Sequence, residues 1–593
     1  MKKLLRPALA ALLALLVLGP GLVRKLRTPA ARPATGSSVP AEGSLRFREV
    51  SREAGLDFLH QAPRFDSKLE NIMALVASVG AAVSIADFDG DGWDDLYVTN
   101  SAEGSHNRLY RNQGDGAFLD VAAGMGVADV NRPGTGVSMG SVWGDYDNDG
   151  FEDLFLYKYG RPELFRNQGG KGFLRVTETA GLPGWANANS ALWLDFDGDG
   201  LLDLFLAGYF REDLDFSRLK TTAVMPESFE YARNGGRKYL LRNLGGGCFK
   251  DVTSAAGIDS RRWTLASLAA DFDDRGRPDL FLANDYGVSE LWLNQGGGRF
   301  REAGKRAGIA KVPKSGMSAS LGDVANRGEY AIYVTNITED GILVQGNNLW
   351  MPRGMDGEIP LFVNLGRESG VDQGAWSWGA QFGDLDNDGR LDLFLTNGFI
   401  SGESRDTYWY DYSQITNAHG AIIADAANWP VLGGRSLGGR QAKRVWMNRG
   451  GLKFVDVAAE AGVDDRHDGR AVALADFRNR GALDVAVANQ KGPLLLYSSL
   501  PDSARHWLAF RLEGRKSNRS AIGARVTLHF GDARQSQDVS GGSGFSSQNS
   551  RRLHFGLGAA QRAEMAVIRW PAGGTDTLRS LAADSLYRVV ESP

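Results

Sequence analysis

One short loop, written seven times along the chain, limits what the chain can fold into. Complete copies read Asp-x-Asp-x-Asp-Gly-x-x-Asp and run straight into an apolar stretch. They are Asp87, Asp89, Asp91 and Asp95; Asp145, Asp147, Asp149 and Asp153; Asp195, Asp197, Asp199 and Asp203; and Asp384, Asp386, Asp388 and Asp392. A partial copy keeps Asp271, Asp273 and Asp279, with Arg275 at the third acidic position. Two more have decayed, to Asp323 with Arg327 and to Asp476 with Arg478, Arg480 and Asp484. Self-similarity of this kind marks a stacked repeat architecture.

Two further elements recur in phase with the loop. An apolar pair leads to Asn, a Gly-rich turn and Phe, as in Leu109-Tyr110-Arg111-Asn112 to Phe118 and Leu164-Phe165-Arg166-Asn167 to Phe173. A sequel of the type Asp251-Val252 to Ala256-Gly257 follows. Each unit reads as four short strands, and seven such units predict an all-β, seven-bladed propeller, because radial stacking buries a face that no unit buries alone. The ends are complementary: Phe47-Arg48-Glu49-Val50 is a fourth strand without a third, and 494–497 is a third strand without a fourth. The N-terminal strand therefore closes the last blade. Beyond it, alternating runs such as 507–512 and 525–530 predict a small C-terminal β-sandwich-like domain. The expected division is 44–503 for the propeller and 504–593 for the second domain.

The loop chemistry points to Ca²⁺. Carboxylates at loop positions 1, 3, 5 and 9, with Gly at 6, converge hard oxygen ligands on one centre, which suits calcium better than zinc. Trp93, Phe151, Leu201 and Arg390, at position 7, would add a backbone carbonyl. A polar turn capping itself through Asx bonds is the alternative for any single copy. In the decayed copies Arg275, Arg327 and Arg480 place a guanidinium where a ligand belongs. Four to five Ca²⁺ ions are expected, in a structural role.

Bulk properties narrow the rest. A formal net charge of −4 gives no sign of a nucleic-acid partner. The single cysteine, Cys248, rules out an intramolecular disulfide framework and is expected to be a small buried apolar residue. Lys2, Lys3 and Arg6 precede an apolar run over 8–18, so 1–27 reads as a signal peptide or an N-terminal membrane anchor and 28–43 as a flexible linker. The expected location is periplasmic, cell-surface or secreted.

The Asp loops and their Asn-x-Gly-x-Gly-x-Phe hairpins resemble FG-GAP/VCBS repeats. Residues 514–574 resemble an ASPIC/UnbV domain through Ser520 to Val526, Ser540-Gly541-Gly542-Ser543-Gly544-Phe545, Leu553-His554-Phe555-Gly556-Leu557-Gly558 and Ile568-Arg569-Trp570-Pro571. The combination is similar to the cartilage acidic protein family, although 73–80 departs from the Gly-Gly-Gly expected before the first loop. The resemblance implies an extracellular or periplasmic protein with calcium and with protein or glycan contacts.

Strand counting puts the aspartate loops on one face, here called lower, and the connections between second and third strands on the other. Two of those upper connections are long, 209–238 and 398–443, and long loops in a compact repeat are usually functional. Asn100, Trp263, Asn284, Trp376, Trp378, Asn397, Tyr408 and Tyr410 are the candidate ligand-binding residues there. Turn capping is the alternative for the asparagines. No nucleophile–base or zinc signature is present; His60, His467, Asp468 and His419 are the candidate catalytic residues. The leading reading is a calcium-binding propeller that takes a protein or glycan partner on its upper face. An envelope or biosynthetic enzyme of lyase or cyclase type, and a structural scaffold, are the alternatives.

Overall fold

In a computed structural model, residues 45–404 and 406–593 are described; the expected signal or anchor segment and its linker lie outside them. Seven four-stranded antiparallel units are arranged as blades. Their innermost strands are Val83–Ala86, Gly136–Gly144, Ala188–Leu194, Trp263–Ala270, Ala319–Gly322, Ser377–Gly383 and Gly469–Ala475. These strands are almost wholly buried, which explains their unbroken apolar and small-residue pattern. The strand Phe47–Glu49 pairs antiparallel with Leu494–Ser499, with Phe47 opposite Ser499, and completes the seventh blade as expected. The Ala-Gly sequel is a single helical turn ended by glycine: Thr253–Ala256 stops at Gly257, whose φ of +80° closes the turn in the left-handed region.

The C-terminal domain packs a three-stranded sheet against a four-stranded one, as the alternating runs predict. It sits on the aspartate-loop side. Arg511 reaches Asp87 at 2.5 Å, Arg505 reaches Asp386 at 2.5 Å, Arg569 reaches Asp271 at 2.9 Å, and Arg551 pairs with Glu152.

From this domain residues 540–550 enter the central channel. They bond to the innermost strands of six of the seven blades. Val83 N donates to Ser546 O at 3.3 Å, Trp193 N to Gly541 O at 3.1 Å, and Gly544 N to Ala319 O at 2.7 Å. Trp143 N donates to Gln548 Oε1 at 2.6 Å, Gln381 Nε2 to Ser547 Oγ at 3.1 Å, and Leu474 N to Asn549 Oδ1 at 3.0 Å. Ser547–Gln548 adds a parallel strand to the first blade. The Gly-Gly-Ser-Gly-Phe motif has a mechanical reason here. A Cβ on Gly541 would lie 2.0 Å from Trp193 O, and Phe545 packs edge-on against Trp378 with centroids 5.0 Å apart.

The opposite opening is also closed. Residues 61–79, 209–237 and 398–443 interlock as a lid. Met225 N donates to Ala424 O, Gly420 N to Glu227 O, Leu432 N to Asn71 O, and Asp66 N to Phe216 O. One apolar cluster runs from this lid through Phe545 into the C-terminal sandwich.

Candidate functional site

Five of the seven loops gather three carboxylates whose ligand oxygens lie within 4.8 Å of one another: Asp87, Asp89 and Asp95; Asp145, Asp147 and Asp153; Asp195, Asp197 and Asp199; Asp271, Asp273 and Asp279; Asp384, Asp386 and Asp392. Such groups could hold metal ions. Three independent features fit a cation. Asp87 Oδ1, Asp147 Oδ1 and Asp197 Oδ1 are buried without a hydrogen-bond partner, which is costly for an anionic oxygen. Burial, aided by neighbouring carboxylates, pushes Asp95 and Asp203 up to about 9, Asp279 to about 8 and Asp145 to about 7. The donor set is all oxygen, the chemistry of a hard divalent ion. Position 5 is more peripheral in the first two loops: Asp91 and Asp149 stay out of these groups, and each caps the loop by accepting from the N–H two residues on, whereas in the third loop Asp199 joins the group and the position-9 residue Asp203 stays out.

The partial loop carries a guanidinium beside its three carboxylates, one decayed loop carries one in place of the missing carboxylates, and the other decayed loop does not. Arg480 donates to Asp484 Oδ1 at 2.9 Å and to Ser498 and Ser499 of the neighbouring strand. Arg275 lies 2.6 Å from Asp273. Asp323 is instead satisfied by the backbone N–H groups of Arg327, Gly328 and Ser536.

The repeated asparagine, legible only as a pattern, has a defined role. Asn167 N donates to the position-9 carboxylate of its own blade, Asp153 Oδ1, at 2.7 Å, and its Nδ2 donates to Phe88 O in the preceding blade's loop at 2.8 Å. Asn243, Asn294 and Asn448 repeat this with Tyr146 O, Phe196 O and Val324 O. Asn112 does so with Phe477 O and thereby joins the first blade to the seventh. The fixed place of Asn behind the third strand was the available signal.

On the upper face the lid changes what the sequence suggested. Of the eight candidate ligand-binding residues only Tyr410 is exposed, at 72%. Asn100, Asn284 and Asn397 are buried and tie loop backbone: Asn100 Oδ1 accepts from Gln61 N at 2.6 Å, Asn284 Nδ2 donates to Val288 O at 2.9 Å, and Asn397 Nδ2 to Ala442 O at 2.6 Å. Trp263, Trp376, Trp378 and Tyr408 are buried in or under the lid. The first three line an internal cavity of about 50 Å³ with Tyr209, Tyr286 and Asp285. That is room for a few waters rather than a sugar ring. Burial raises the Asp285 carboxyl to about 7, and Tyr209 Oη donates to it at 3.0 Å. Cys248 is exposed, against expectation, because it sits at the hairpin tip before Phe249–Asp251.

The catalytic candidates divide between two roles and an exposed loop. His467 and Asp468 line a cleft of about 410 Å³ at the rim of the lid. Asp468 is spent on Ser401, whose N and Oγ donate at 2.7 and 2.9 Å, and His467 pairs with Asp465. His60 is buried behind this cleft. Its Nδ1 accepts from Lys491 N at 3.2 Å and its Nε2 lies 3.1 Å from Ser101 Oγ. Burial, then the charges of Arg470 and Lys491, pull it down to about 3, so it is a neutral anchor for the 490–492 turn. His419 is exposed on the lid.

Residues 514–593 match the ASPIC and UnbV family, and residues 87–156, 145–206 and 271–334 match the FG-GAP-like repeat. Human cartilage acidic protein 1 is 57% identical over 51 residues, 8% of either chain. The Xenopus tropicalis protein of that name is 29% identical over 167 residues, 28% of this chain and 25% of its own. The matched stretches thus span well under two thirds of those relatives. Among solved structures, an Agrocybe aegerita lectin that recognises non-reducing terminal N-acetylglucosamine aligns over 69% of this chain and 85% of its own, at 15% identity and a TM-score of 0.33. The Vibrio cholerae biofilm matrix protein Bap1 aligns over 91% and 71%, at 11% identity and a TM-score of 0.25.

Proposed function

From a chain that carries FG-GAP-like repeats and ends in an ASPIC/UnbV domain, we infer an exported, calcium-loaded propeller that binds a protein or glycan partner through the face away from its metal loops. The observation that carries this reading is the occupation of the loop face: the C-terminal arginines cover it and residues 540–550 fill the channel behind it. The surface left for a partner is the lid and its rim. Export rests on the apolar run 8–18 behind Lys2, Lys3 and Arg6. Among the described residues no helix is long and apolar enough to cross a membrane. Bound Ca²⁺ supplies charge neutralisation and cross-linking of the loop, with Asp87, Asp89 and Asp95 as the first set of ligands. The chain's own contribution is to hold those carboxylates together before the ion arrives: Asp95 accepts from Phe88 N and Asn112 N at 3.1 and 2.8 Å.

Glycan-array screening of the full chain, followed by hydrogen exchange of any complex, tests the assignment. Protection within 209–237 and 398–443 is expected; protection confined to 504–593 would contradict it. The closed lid favours a second reading, a scaffold whose aromatic lid is only core. That reading predicts no ligand on the array and no protected lid in any complex.

A further inference from the structure

The rim cleft beside the lid is a large opening on the upper face whose exposed side chains carry an excess of positive charge. We propose that it binds a sugar residue bearing a carboxylate or sulfate group. This rests on the upper-face reading above and names the ligand class.

Three cationic side chains, Arg440, Arg466 and Lys491, line the cleft and are exposed. Arg440 donates to Gly402 O at 2.9 Å and Arg466 to Arg440 O at 3.5 Å; among the described residues neither meets a carboxylate, nor does Lys491. The local acids are already taken. Asp468 accepts from Ser401 and from Arg440 N at 3.3 Å, and Asp465 pairs with Lys443 and His467.

A second observation lies in the floor. Arg470 is fully buried, and all its bonds go to backbone carbonyls: Ser78, Gly398 and Phe399 at 2.8 Å and Gly469 at 2.9 Å. Two of those acceptors, Ser78 and Phe399, themselves line the cleft. No carboxylate bonds directly to this buried guanidinium, and Asp468 acts on it only from a distance; a charge so placed is costly, and an anion in the cleft would offset it. Its guanidinium also lies over the Trp378 ring, 4.1 Å from the centroid.

A third observation favours a sugar over a bare anion. Gln490 lines the cleft, is 5% exposed, and its Oε1 has no partner while its Nε2 donates to Ala77 O at 2.7 Å. That oxygen is an acceptor, so it repels an anion and suits a hydroxyl. A volume of about 410 Å³ lies within the usual range for a small-ligand site.

The test is calorimetric titration of the full chain, loaded with calcium and freed of excess ion, at about 50 mM salt, where charge pairing is weakly screened. Trigalacturonate and a sulfated heparin disaccharide are the anionic probes and maltotriose the neutral control. One-to-one binding of at least one anionic probe is expected, without binding of maltotriose. The two arms show whether carboxylate or sulfate is preferred. The combined change Arg440→Gln, Arg466→Gln and Lys491→Gln should weaken binding by at least about tenfold, as loss of charge-assisted hydrogen bonds requires. Lys491→Gly is the milder check, since Lys491 has φ +52° and glycine keeps that turn; it should weaken binding without lowering the melting temperature. Failure of both anionic probes, or binding untouched by these changes, overturns the proposal. Protection of the lid by a neutral glycan or a protein would then leave the upper-face reading standing on its own.

Discussion

At the residue scale the most informative side chain is the repeated asparagine. Its amide donates across the blade boundary, so five of the seven blades are held by the aspartate loop of the one before. Asn167→Ala removes the donor to Phe88 O and Glu152 O and leaves two buried carbonyls unpaired. Destabilisation of about 2–3 kcal/mol in urea unfolding is expected. His60 makes a different prediction. Its folded value is about 3 against an ordinary imidazole value of 6.5, so below pH 6.5 the unfolded chain binds the proton that the folded chain refuses. Stability must therefore fall as pH drops from about 6.5 towards 3, with this one group adding up to about 1.4 kcal/mol per pH unit. A stability–pH profile of His60→Gln should lack that part of the slope; an unchanged slope would remove His60 from the account.

At the scale of elements, the four-strand blades were readable because each strand type carries its own local signal: an Asp loop, an apolar run, an Asn turn and a Phe. The seam at Phe47–Glu49 was readable for the same reason. The plug was not. The residues 540–550 share no periodicity with the strands they meet, and their partners, Val83 and Trp193 among them, lie hundreds of positions away in sequence. Only the crowding of glycines was visible. Gly541→Val tests the element: its Cβ would collide with Trp193 O, and a loss of about 3 kcal/mol or more is expected, with increased proteolysis at the C-terminal domain. The lid was half legible. Length and aromatic content marked 209–238 and 398–443, but their interlock with 61–79 depends on long-range backbone bonds that leave no local trace. That interlock buries the tryptophans and leaves a small internal cavity beneath the lid.

For the whole molecule, residues 45–593 behave as one compact unit, because the C-terminal domain supplies both the plug and the arginines on the loop face. Truncation after residue 503 should therefore lower the propeller's melting temperature and expose apolar surface to a dye such as ANS; a truncated chain melting with the full one would mean that the domain is only docked. The metal loops set the same scale from below. Their carboxylates are crowded, partly buried and raised, so these loops could hold cations, and in two altered copies Arg480 and Arg275 pair with the remaining carboxylates. Metal analysis of the purified, dialysed full chain, with melting before and after EGTA, tests this most directly. Four to five calcium ions per chain, and a melting temperature that falls with EGTA and returns with calcium, are the predicted result; no bound calcium, seven ions, or a melt indifferent to EGTA would contradict it.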